Sequence, residues 1–360
     1  MQIIKSLSVV GLVLAVSFST VVPANDSVSS ANPLSTAVEL TEEDRASAKP
    51  RMPMLEAHQL PEEVREMLQI DSSGVSTQAY GSAGHPFTTQ RATTRTAKFW
   101  TIKQQPFAAT GKLWMRTGGS WFVCTASVID KGVLVTAAHC VWDFGGSPVD
   151  IVQFEPARHK SITPYGIFTA TDWAVPTVYE LGTDVCDPAA IGVVCENDIA
   201  VVVLQKLAGQ YVAQAVTGTY AYKENNWGYV NFADGKKYAQ LTQLGYPVSL
   251  DSGNMMIRTD SVGYQASPNN VIIGSDQTGG SSGGPWLMNF GEPPERRGDN
   301  PRPFKAGNNK VVATTGWGFT SPLIKVQGGS RFGKNTNFTV QSNIATLHAW
   351  ACSTYPGRCY

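Results

Sequence analysis

Thr278-Gly279-Gly280-Ser281-Ser282-Gly283-Gly284-Pro285-Trp286-Leu287-Met288 is a run of small residues that ends directly on an apolar strand. A flexible linker would continue into more polar sequence; this run turns and is then held. Glycines before Ser282 can aim consecutive backbone N–H groups at one point, and glycines after it keep side chains away from an approaching substrate. A serine hydroxyl is a poor nucleophile unless a base lies within hydrogen-bond reach. The chain must therefore supply a histidine, and something to orient it.

There are five histidines. His58 and His85 fall in a dissimilar N-terminal stretch, His159 sits in a polar run, and His348 lies on one face of an expected helix. His139 is different. It ends the apolar strand Val133-Leu134-Val135-Thr136-Ala137-Ala138-His139-Cys140, and a disulfide from Cys140 would hold the segment that presents the ring. Histidine is also the side chain whose ordinary pKa, about 6.5, suits a base near neutral pH. A third block, Glu196-Asn197-Asp198-Ile199-Ala200, places a carboxylate at the mouth of a second apolar strand. There it can be desolvated and can accept the other imidazole N–H.

The rest of the chain bounds these readings. It has 360 residues, 28 Lys+Arg against 28 Asp+Glu, 42% apolar residues, 34 Gly and 21 Pro. Disorder throughout and a uniformly basic nucleic-acid binder are both excluded by that balance. Short β-branched or aromatic segments separated by turn residues predict strands over 112–116, 121–128, 132–136, 151–155, 199–204, 238–245, 254–258, 271–274, 285–288 and 310–317. A helix is expected over 339–351, with Ile344, Leu347, His348 and Ala351 on one face.

Residues 1–24 read as a secretory signal peptide: Lys5, an apolar run from Leu7 to Phe18, then Val22-Pro23-Ala24 as a cleavage site. Residues 25–95 carry ten acidic and six basic residues and include a Ser/Gly/Thr-rich stretch. They read as a propeptide and linker, cut near Arg91 or Arg95. The catalytic domain then spans 96–360, with its internal boundary near 210–235. Six cysteines allow 15 pairings, and their grouping favours Cys124–Cys140, Cys186–Cys195 and Cys352–Cys359 in an oxidising compartment.

The three blocks, in the order His139, Asp198, Ser282, resemble those of the chymotrypsin-like (trypsin-like) serine peptidases. In style the chain is most similar to secreted bacterial glutamyl-endopeptidase-like members. The resemblance implies an all-β fold: two packed six-stranded antiparallel β-barrels with a C-terminal helix, and the site in the cleft between them. It implies that Ser282 attacks the scissile carbonyl, His139 moves the proton and Asp198 orients His139. The N–H groups of Gly280 and Ser282 would form the oxyanion hole, and Trp317-Gly318 would pair with substrate backbone.

Two departures bear on regulation and specificity. Ser281 stands where many members have an Asp that receives the new N-terminus on activation. Asp276 lies six residues before Ser282, the spacing at which members cutting after Lys or Arg place a binding carboxylate. Gly316 stands where glutamyl-specific members tend to have His. The expectation is thus a secreted, monomeric endopeptidase with protein or peptide substrates and its own propeptide as partners. It needs no cofactor or metal and engages no nucleic acid or membrane. Basic P1 is favoured over Glu, and a catalytically inactive homologue used as a binding module is the rival from another class.

Overall fold

A computed structural model describes residues 27–31, 33, 38–51, 54–55, 85–92, 101–186, 191–192, 194–225, 230–231, 237–265, 270–291, 308–321 and 323–360. The expected signal peptide and Arg95 lie outside these residues, as does 61–68, where Pro61 and the following glutamates suit a helix start. Four short strands precede the main fold: β1 (Val28–Ser30), β2 (Lys49–Pro50), β3 (Met54–Leu55) and β4 (Phe87–Arg91). Six strands follow: β5 (Thr110–Thr117), β6 (Ser120–Asp130), β7 (Val133–Thr136), β8 (Ile151–Pro156), β9 (Phe168–Pro176) and β10 (Ala200–Leu204). They pair in the order β9-β10-β7-β6-β5-β8, and β8 returns to β9, so the sheet closes into a barrel.

The stretch from Leu204 to Lys237 crosses to a second barrel, adding β11 (Ala221–Tyr222) and β12 (Val230–Asn231) on the way. That barrel is built from β13 (Lys237–Gly245), β14 (Ile257–Gln265), β15 (Asn270–Gly274), β16 (Pro285–Met288), β17 (Lys310–Phe319) and β18 (Val326–Arg331). The ring runs β13-β16-β17-β18-β15-β14 and closes through β14 onto β13. Both barrels are antiparallel throughout. Closure leaves no long open edge.

Apolar residues fill the barrel interiors. In β10 all five residues are buried, against β7 on one side and β9 on the other. The C-terminal helix, Asn343–Thr354, buries Ile344, Leu347 and Ala351 against the first barrel. It starts later than expected because Ser342 caps it: the hydroxyl accepts from the Ala345 N–H at 3.2 Å. His348 pairs with Asp130 through Nε2 at 2.9 Å. The three disulfides join Cys124–Cys140, Cys186–Cys195 and Cys352–Cys359.

Three barrel strands depart furthest from the sequence reading. β9 contains Asp172 and ends in Pro176, which reads as loop punctuation; the Asp172 carboxylate is satisfied by the Ser30 and Tyr355 hydroxyls and by the Trp173 N–H. β18 carries Gly328-Gly329, yet no side chain would fit there: a Cβ on Gly328 would lie 2.0 Å from the Trp317 ring. β14 starts at Ile257 rather than 254, because a 3-10 turn over Asp251–Gly253 and the residues after it come first.

The N-terminal stretch is not separate from this fold. β1 pairs with β9, and Leu40 is 4% exposed in a cluster with Trp114, Trp121, Val123 and Ile151. A capped helix, Glu42–Ser47, presents Arg45 to the fully buried Glu155 at 2.8 Å. β4 pairs with β14 over five residues and ends at Arg91, which makes an ion pair with Asp251. Among the described residues, no helix is long and apolar enough to cross a membrane.

Candidate active site

β7 delivers its last residues into a short helix, Ala138–Val141, so His139 is presented at the rim of the first barrel, 6% exposed. The Cys140 disulfide ties that helix to Cys124 on β6. Asp198, just before β10, is completely buried and grips His139 at two points. Its Oδ1 accepts the backbone N–H of His139 at 2.8 Å, and its Oδ2 lies 2.8 Å from Nδ1. A carboxylate held this way fixes both the position and the tautomer of the ring. Asn197 is held in turn, by Asp184 at 2.7 and 2.8 Å and by Asn335 at 2.7 Å. Burial pushes the Asp184 carboxyl up to about 7, against the hydrogen bonds from Asn197.

The loop before β16 brings Ser282 to the same place. Gly283, at φ +75°, packs so tightly that a Cβ would sit 1.9 Å from Thr136 Oγ1 and 2.8 Å from Ala137 N. The carbonyl of Ser282 accepts the Thr125 N–H at 2.8 Å, and Thr125 Oγ1 donates to the Gly280 carbonyl at 2.8 Å. Gly280 has φ +97°, a conformation natural to glycine. Its N–H and that of Ser282 take no acceptor among the described residues. The Ser282 hydroxyl is buried and likewise makes no hydrogen bond among them, while His139 Nε2 has Cys140 Sγ at 3.8 Å. The serine–histidine link is therefore open in this form of the chain.

Ser281 sits in a neutral network rather than an ion pair. Its hydroxyl donates to Thr278 O at 2.7 Å and accepts from Gln327 at 3.3 Å. Gln327 also bonds Gln243 and the Gln277 carbonyl. Sequence reasoning missed Thr125, Gln243 and Gln327, because each acts on a loop distant in sequence and no motif marks it. Asp276 lines a cavity of about 240 Å³ with residues of 319–326, including Lys325. Its Oδ1 accepts a 2.6 Å bond from Thr89 on β4. Trp317 donates from Nε1 to Asn270 at 3.2 Å, and Gly318 follows it on β17.

The profile of the trypsin family matches residues 101–320, well over half of the sequence. The chain belongs to the trypsin family. As a member it is a serine endopeptidase. Its fold is similar to that of protease Anisep from Arthrobacter nicotinovorans, with TM-score 0.52 and 21% identity, over 68% of this chain and 96% of that one. It is also similar to the thermostable serine protease AL20 from an extremophilic microorganism, with TM-score 0.51 and 22% identity, over 66% and 97% of the two chains. No curated protein matches the chain. Among the described residues of this peptidase, every grouping of possible metal ligands includes a disulfide-bonded cysteine, whose sulfur is not a free thiolate.

Proposed function

We propose that the peptidase is secreted as a precursor and hydrolyses peptide bonds through an acyl-enzyme on Ser282. The Ser282 oxygen attacks the carbonyl carbon while His139 Nε2 takes its proton. Asp198 stabilises the resulting imidazolium, and the N–H groups of Gly280 and Ser282 receive the oxyanion. The proton then passes from His139 to the leaving amine, and water repeats the sequence on the ester. The observation that carries this reading is the two-point grip of Asp198 on His139, beside a serine loop packed onto the strand that leads to His139. The open serine–histidine link accords with it, since such bonds often tighten only when substrate binds.

The cavity at Asp276 favours Lys or Arg as the residue before the cut, because a partly enclosed carboxylate pairs bidentately with a guanidinium. Lys325 in the same cavity favours the second reading, an acidic residue there. Matched Arg and Glu peptides decide between them. A basic pocket predicts faster cleavage of the Arg peptide and, in Asp276→Ser, a loss of roughly 30-fold or more in kcat/KM for that peptide alone. Faster cleavage of the Glu peptide would transfer the pocket to Lys325.

The N-terminal stretch serves as a propeptide, and we infer a cut upstream of His85 rather than at Arg91 or Arg95. Phe87–Arg91 pairs onto β14 of the second barrel, Thr89 touches Asp276, and His85 stacks on Tyr264 with ring centroids 5.3 Å apart. Cutting at Arg91 would remove all three contacts.

A further inference from the structure

The N-terminal stretch reaches both walls of the cleft. On the first barrel Lys49-Pro50 pair with Phe122-Val123, the Arg51 N–H donates to the Val123 carbonyl at 3.2 Å, and the Arg51 guanidinium makes an ion pair with Asp143. Pro50 and Arg51 line the same cavity as His139. Three residues on, Met54-Leu55 pair with Gly318-Phe319 on the second barrel. Three residues span at most about 11 Å, so these two pairings tie the walls together over a short reach.

Direction decides what such pairings can do. A substrate's residue before the scissile bond enters the pocket at Asp276, on the second barrel. The amine after the bond must receive its proton from His139, on the first. A productive substrate therefore runs from the second barrel to the first. Residues 49–55 run from the first to the second.

We propose that Lys49–Arg51, paired on the first wall, and Met54–Leu55, paired on the second, close the cleft to substrate in the reversed chain direction, an internal inhibitor that cannot offer Ser282 a bond to cut. The proposal rests on the acyl-enzyme reading above. Reversal explains how Lys49 and Arg51 can lie in the cleft of a peptidase whose pocket carries Asp276 without being substrates. Upstream anchors hold these residues: Leu40 in its apolar pocket and Arg45 on buried Glu155. The glycine loop is already shaped, with Gly283 N–H donating to Thr315 O at 2.7 Å.

The test uses the full precursor and a small fluorophosphonate probe, with the adduct on Ser282 timed by mass spectrometry. Arg51→Asp sets like charges against Asp143 and should speed labelling roughly fivefold, the scale of a lost half-exposed ion pair. Arg51→Asp combined with Asp143→Arg should return it to the original rate, which shows that both variants fold. All bonds from residue 49 to 55 should remain intact in the labelled precursor. Equal labelling rates in the three proteins, or self-cleavage within 49–55 as the labelling step, would overturn the reversed plug. If the processed enzyme fails to label at all, the acyl-enzyme reading itself falls, and the plug with it.

Discussion

At the scale of the residue, the side chains proposed to carry the chemistry are legible in the sequence and their supports are not. His139, Asp198 and Ser282 sit in short blocks whose neighbours carry the signal: a cysteine after the histidine, an apolar strand after the aspartate, glycines around the serine. Thr125 reads as an ordinary strand residue, yet its backbone and hydroxyl clasp Ser282 and Gly280. Lys112 is a similar case. It lies on β5, donates to the Gly253 carbonyl at 2.8 Å and sits 4.6 Å from the Trp114 ring centroid. Burial, reinforced by Arg158, pushes its ammonium down to about 7 from the ordinary 10.5, with Glu155 opposing. The folded chain therefore binds fewer protons than the unfolded chain between those values, so this residue's cost is full below about pH 7 and fades as pH rises toward 10.5. Urea unfolding should show wild type gaining stability across that window relative to Lys112→Met. A difference between the two that stays constant with pH would refute the assignment.

At the scale of the element, strands whose side chains fill an interior were legible, and strands made for close approach were not. Pro285–Met288 has its expected bounds, and β5, β6 and β10 differ from expectation by a few residues, because β-branched and aromatic residues mark them. β18 hid behind Gly328-Gly329. Those glycines admit the Trp317 ring on one side and the Thr314 carbonyl on the other. Gly328→Ala should cost about 1–3 kcal/mol, the range for overpacking a filled core. It should also push Trp317 and the Gly318 edge out of line. Cleavage of a peptide several residues long should then fall more than hydrolysis of a single-residue ester. Equal losses on the two substrates would separate β18 from substrate alignment.

At the scale of the molecule, two closed barrels each contribute part of the proposed site: His139 and Asp198 from the first, the Ser282 loop and the Asp276 cavity from the second. Neither barrel holds all of the proposed site, so the proposed catalysis depends on their packing. What the sequence could not reveal at this scale was the course of the N-terminal stretch. Its composition resembles a linker, while its anchors are single residues such as Leu40, Arg45 and Arg51, each meaningful only beside a distant partner. The central claim remains that Ser282 becomes the acylated nucleophile. Mixing the processed enzyme with a p-nitrophenyl ester and quenching in acid tests it directly by peptide mass mapping. One acyl group on Ser282, absent from Ser282→Ala and His139→Ala, is the predicted result. An acyl group on another residue, or turnover with Ser282 replaced, would contradict the account.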